Sequence, residues 1–208
     1  MIYLDIATTA FVTLFVIIDP IGLAPMFVAL TRGMSTAQRR VIAIRACLIG
    51  AGVLAAFGIG GEFVLDKVGI GLPAFQISGG ILLFITALEM LFERRSKRRE
   101  QSAEADSHPD PSVFPIAMPL IAGPGAMTSM ILLMGEHSGD IANQAVVYVM
   151  MFTVVLMTLI LFLAGGLIER ALGHTGTNII TRLLGLFLAA LSVQFVLDGL
   201  SAYGFGVI

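Results

Sequence analysis

The chain has 208 residues, 57% of them hydrophobic and only 12% charged, with a net charge of -2 and a mean hydropathy of +0.96. An ordinary soluble domain carries about 25% charged residues, so this composition excludes one and indicates a protein whose solvent is lipid. A single cysteine, Cys47, rules out an internal disulfide and a thiol–disulfide electron carrier, because exchange needs a second thiol; in its apolar run it is expected to pack as a small hydrophobe.

Apolar stretches suited to a hydrocarbon core of about 30 Å run near 6–30, 41–61, 72–92, 113–134, 143–168 and 178–200. They are too long and too uniform for barrel strands, so the expected fold is an all-α polytopic membrane protein with six transmembrane helices. The second, third, fifth and sixth stretches contain no proline except Pro73, which falls in a first turn where it does no harm. Gly52, Ala55, Ala56 and Gly60 give the second stretch a small-residue face, expected to be a helix-packing seam.

The first and fourth stretches are different. Asp19-Pro20-Ile21-Gly22-Leu23-Ala24-Pro25 and Ala122-Gly123-Pro124-Gly125 interrupt them, with Pro20 and Pro124 standing 104 residues apart. From Ile6 to Ile18 is about 20 Å of helix and from Val113 to Ala122 about 15 Å, which puts both breaks at mid-membrane. Each break sets a residue suited to an N-cap before a proline suited to a first turn, so a new half-helix is expected to start at each point. An interior proline weakens a helix by about 3 kcal/mol, and an aspartate costs about 2.5 to 3.5 kcal/mol on insertion scales, so Asp19 and the repeated breaks point to function rather than packing alone. Helix N-termini suit a carboxylate, while Asp19 suits an ammonium group or a coupling proton or sodium ion. The expected substrate-binding set is Asp19, Pro20, Gly22, Pro25, Gly123, Pro124, Gly125 and Thr128. Thr128 and Ser129 are equally suited to bonding their own helix backbone.

Lys and Arg follow the first, third and fifth stretches: Arg32, Arg39 and Arg40, then Arg94, Arg95, Lys97, Arg98 and Arg99, then Arg170, against Lys67 alone on the other side. The positive-inside rule then places those connections in the cytoplasm and both termini outside; the lack of Lys or Arg before Arg32 argues against a cleaved signal peptide. Three stretches per half is an odd number, so the halves enter from opposite sides and form two inverted three-helix repeats, residues 1–92 and 113–208, joined by a cytoplasmic linker at 93–112. A shift of 105 also sets Gly80 against Gly185, Glu89 against Gln194 and Glu93 against Asp198. Two further charges, Arg45 and Glu89, fall about one turn inside the membrane at a shared level, where they either pair with one another or snorkel to the headgroups. His108, His137 and His174 fall in expected loops with no two at ligand spacing, and no nucleophile with a base or pair of aspartates is visible, so neither an enzyme nor a metal site is expected.

The segment from Asp19 to Phe27 and the segment Ala122-Gly123-Pro124-Gly125 with Thr128 resemble the paired signatures of the MarC family of bacterial inner-membrane proteins, and the likeness spans essentially the whole chain. That resemblance implies six spans, a prokaryotic inner-membrane location and a role as a small neutral amino acid transporter or exporter. The expected partners are the lipid bilayer and a small-molecule solute, with no nucleic acid; a homo-oligomer stays open, as do a channel and a non-transporting scaffold.

Overall fold

The computed structural model describes residues 2–92 and 111–204, which form helices joined by short turns with no strand among them. Most of the expected linker, including Lys97, and residues 205–208 lie outside the described residues. Helices α1 (Ile2–Ile18) and α2 (Pro20–Leu30) form one membrane-length stretch, followed by α3 (Thr36–Val68) and α4 (Leu72–Leu91). A wound segment α5 (Ser112–Ile121) then meets α6 (Pro124–Gly135) at a bend of 55°, and α7 (Ile141–Leu163) and α8 (Gly165–Ala202) complete the chain. Among the described residues, five stretches are long and apolar enough to cross a membrane, and the bent α5–α6 pair makes a sixth if it counts as one span.

Local chemistry explains the boundaries. Ser35 and Gln38 form a reciprocal capping box at the start of α3, which ends at Gly69 in the left-handed region (φ 78°) that favours glycine. Pro73 sits in the first turn of α4, as expected, and Asp140 accepts from Ala142 N and Asn143 N to open α7. Gly173 (φ 60°, ψ -178°) interrupts α8, so its membrane-length part is Thr175–Ala202. Arg39 donates from Nε to Thr31 O at 3.1 Å, setting a cation at the C-terminal end of α2.

α5 corrects one expectation. It is not a straight α-helix: Phe114 and Met118, each preceding a proline, are extended, and Ala122 N reaches back five residues to Ala117 O at 2.9 Å. Proline crowds the residue before it out of the helical region, so a depth reckoned at helical rise does not apply to residues 113–122.

The helices pair in a definite pattern. α4 runs along α8, α1 and α2 lie on α7, and α3 lies on α5 and α6; α2 also meets α8, α4 meets α6, α3 meets α7 and α1 meets α6. Exchanging the halves, with α1–α2 for α5–α6, α3 for α7 and α4 for α8, returns these pairs, whereas the contacts of α8 with α1 and α7 and of α6 with α7 have weaker counterparts or none. Along the α4–α8 seam individual contacts recur at a fixed shift. A Cβ on Gly80 would stand 2.7 Å from Ser192 O and 3.1 Å from Val196 N, and one on Gly185 would stand 3.3 Å from Ala87 O and 3.4 Å from Leu91 N. Both contacted residues shift by 105, as the glycines do.

Outward-facing apolar side chains such as Leu4, Leu48, Ile59 and Phe63 suit a lipid surroundings, and Cys47 is buried as expected. Of the seam expected along Gly52, Ala55, Ala56 and Gly60, Ala55 is half-buried against the core and its carbonyl accepts from Tyr148 Oη at 3.2 Å, but among the described residues nothing lies within 4 Å of a Cβ on Gly52 or Gly60. The packed side is instead that of Gly50, Gly58 and Gly61, which face Ile121, Met130 with Tyr148, and Ile131. Small residues allow close approach, but the larger side chains opposite decide which ones are used.

Candidate functional site

At the first break Asp19 takes a left-handed backbone (φ 57°, ψ 62°), which aspartate tolerates better than bulkier residues. Its side chain caps α2, Oδ1 accepting from Gly22 N at 3.0 Å. Thr181 of α8 donates toward the same carboxylate, at 3.4 Å from Oδ2 and 3.5 Å from Oδ1. Asp19 is only 1% exposed. Gly22 is required here, because a Cβ at that position would overlap the Asp19 carboxylate. Pro20 is buried and Pro25 lies half-buried inside α2.

The second break is built differently. Gly123 is the N-cap of α6 with no side chain to cap it, and a Cβ there would stand 2.6 Å from Pro119 O, so the close chain reversal needs glycine. The first N–H groups of α6 have no intrahelical acceptor, so this terminus carries the positive end of the helix dipole. It faces a cavity of about 290 Å³ lined by Ile17 of α1, by Pro115, Pro119 and Ile121, by Gly123 to Ala126, and by Leu82, Ile85, Thr86 and Glu89 of α4. Thr86 already donates to Leu82 O at 3.0 Å, which leaves the half-buried Glu89 as the charged group on the wall.

The structure thus brings the two breaks close without making them equivalent. Ile17, two residues before Asp19, lies on Gly125, two residues after Gly123: a Cβ at Gly125 would stand 3.3 Å from Ile17 Cγ2 and 3.2 Å from Leu83 Cδ2. Gly123, Pro124, Gly125 and Glu89 line the cavity; Asp19, Pro20, Gly22, Pro25 and Thr128 are not among its lining residues. Thr128 is buried with its methyl group toward Gly79 of α4. Ser129 is fully buried and its hydroxyl has no partner among the described residues, so it does not bond its own helix. Arg45 lies on an exposed side of α3, and Glu89 is half-buried on α4, where it lines the cavity. Thr181 was not anticipated, although the shift of 105 sets it against Gln76, another isolated polar residue in an apolar stretch.

Just beyond α6, Glu136 accepts from Gln76 Nε2 at 3.1 Å. Glu136 is an exposed residue, yet partial burial of its carboxyl first and the charge of Asp198 second push that carboxyl above the usual carboxylate range. The folded state therefore disfavours the ionised form. Glu136→Gln, which keeps the acceptor for Gln76, is expected to raise the melting temperature near neutral pH, and the gain should shrink as falling pH protonates the parent side chain. Paired melting curves across pH check this.

The chain is an integral, multi-pass membrane protein whose most irregular backbone surrounds an internal cavity. It belongs to the MarC family: residues 4–203 match the family described as MarC family integral membrane protein. A UPF0056 membrane protein of Archaeoglobus fulgidus is 38% identical over 204 residues, covering 96% of this chain and 94% of that one. The UPF0056 membrane protein YvbG of Bacillus subtilis is 34% identical, covering 91% and 92%, and the UPF0056 inner membrane protein YhgN of Escherichia coli is 31% identical, covering 92% and 94%. No solved structure matches the chain.

Proposed function

We propose that this protein is a secondary carrier of small zwitterionic solutes such as neutral amino acids, working by alternating access around its two broken helices. The observation that carries the reading is the cavity at the second break. It offers an uncapped helix N-terminus for a carboxylate at one part of its wall and the Glu89 carboxylate for an ammonium group at another. Its volume of about 290 Å³ is at the small end of the ~300–1,000 Å³ usual for ligand pockets, which favours a small solute. Asp19, buried at the other break, is the natural holder of a coupling proton or sodium ion.

The reading includes two inverted repeats. The exchangeable helix pairing and the reciprocal contacts of Gly80 and Gly185 support it, together with the odd number of stretches in each half. It also places the basic connections in the cytoplasm, both termini outside, and the chain in a prokaryotic plasma membrane, as the name of the Escherichia coli relative favours.

Counterflow of labelled neutral amino acids in vesicles reconstituted with the purified protein tests the carrier reading. Saturable exchange is expected; flux that does not saturate, or none with any zwitterion, would overturn it. Gly125→Leu should fill the cavity and reduce exchange to the level of protein-free vesicles, whereas Gly125→Ala needs only a few tenths of an ångström from the Leu83 and Ile17 side-chain ends and should retain most of it.

A further inference from the structure

The two breaks differ in this conformation. α5 and α6 are bent by 55° and border the cavity, while α1 and α2 continue as one stretch with Asp19 folded back onto Gly22. The register that pairs Pro20 with Pro124 relates the two regions residue by residue. Pro115 and Pro119 correspond to Phe11 and Phe15, Leu120 to Val16, and Gly123 to Asp19; the register of Gly80 and Gly185 relates Glu89 to Gln194. Ile17 and Ile121 correspond to one another, and both line the cavity. Exchanging the halves therefore leaves the inner end of the cavity where it is.

We infer that Phe11, Phe15, Val16, Asp19 and Gln194 border a second cavity, closed in this conformation, which shares its inner end with the first and opens to the opposite side of the membrane. It forms when α1–α2 takes the bent arrangement that α5–α6 holds here. The ligand is the same small zwitterion, so the inference rests on the carrier reading and on the relation between the halves. The physical argument is that a chain whose halves share their main helix pairings can take two arrangements, one with each half bent, and a solute selects between them only by differential binding. In this conformation the corresponding region is filled by the Phe11 and Phe15 rings, which stack with centroids 5.6 Å apart at the positions matching the two wall prolines of the open cavity. The charges also differ in depth. The open cavity has its carboxylate at Glu89 and none at the break, while the second has it at Asp19 and an amide at Gln194, whose Nε2 donates to Asp198 at 2.7 Å. A solute ammonium group meets one carboxylate in either arrangement.

The test uses full-length protein with Cys47→Ala, carrying either Leu120→Cys or Val16→Cys, in vesicles exposed to a membrane-impermeant methanethiosulfonate from one side at a time. Melting temperatures establish that each variant is folded, and Pro119→Cys with Phe15→Cys gives a second pair. Labelling of Leu120→Cys from the cytoplasmic side and of Val16→Cys from the outer side is expected, with saturating alanine slowing both. A folded Val16→Cys or Phe15→Cys protein that resists the reagent from both sides, or reacts from the same side as its counterpart, would overturn the second cavity. If counterflow persists in that case, only this inference falls; if counterflow is absent too, the carrier reading falls with it.

Discussion

Asp19→Asn is expected to reduce amino acid exchange to that of protein-free vesicles while leaving a folded protein. Asparagine is nearly isosteric, tolerates the left-handed backbone found at this position, and keeps an oxygen to accept from Gly22 N, so the start of α2 survives. What disappears is a negative charge that is 1% exposed in the interior of a membrane protein. Relieving its burial should leave the melting temperature unchanged or higher. Asp19→Leu is a useful contrast, because it removes the cap as well and should lower stability by about 1 kcal/mol. Vesicle exchange and thermal melting of the same preparations separate the two roles. If the asparagine variant exchanges solute as fast as the parent, Asp19 is a helix cap whose charge serves neither a coupling ion nor the solute.

The largest loss of stability is expected from Gly80→Leu and from Gly185→Leu. At most close glycines of this chain the neighbour is the end of a flexible side chain, which can move. At these two the obstacle includes the backbone of the opposing helix, Ser192 O and Val196 N in one case and Ala87 O and Leu91 N in the other, as it does at Gly199 of the same seam with Pro73 O and Ile77 N. α4 and α8 would have to part along their seam. Overpacking of this kind costs about 1–3 kcal/mol and more when backbone must shift. Gly52→Leu on α3, with nothing within 4 Å, serves as the control and should stay within about 0.5 kcal/mol of the parent. Melting temperatures in detergent read all three. The loss should be similar for the two seam glycines if the halves are related as proposed, and a tolerant Gly185 beside an intolerant Gly80 would count against that relation.

Much of this architecture is legible in the amino-acid pattern because lipid is a demanding solvent. A spanning segment must be apolar and must satisfy its own backbone, so long apolar runs report helices and Pro-Gly clusters report departures from them. Asp19-Pro20 and Gly123-Pro124 announced two helix starts, and both are N-caps followed by first-turn prolines. The shift of 105 that aligned Gly80 with Gly185 proved to describe their contacts. Three features were not legible. The winding of α5 depends on two prolines acting together, and helical rise says nothing about such a segment. The choice between the two small-residue sides of α3 depends on which larger side chains face it, and those come from α5, α6 and α7. The cavity's position beside Gly123 rather than Asp19 depends on a carboxylate folding back onto its own helix, a choice among competing hydrogen bonds that composition does not record.

The 11-residue helix α2 has a charged group at each end, the Asp19 carboxylate on its N-terminus and the Arg39 guanidinium on its last carbonyl region at Thr31. The two side chains oppose the dipole of the helix they flank, and beyond a few ångströms its field is largely cancelled. α6 is of similar length but begins at a bare glycine, so its N-terminal potential is uncompensated and reaches into the open space before it. The protein therefore holds two neighbouring helix starts of unlike electrostatic potential. On the carrier reading, an anionic group entering the cavity is drawn to the start of α6 and not to that of α2, so the carboxylate end of a dipolar solute is set toward Pro124 before any side chain rearranges.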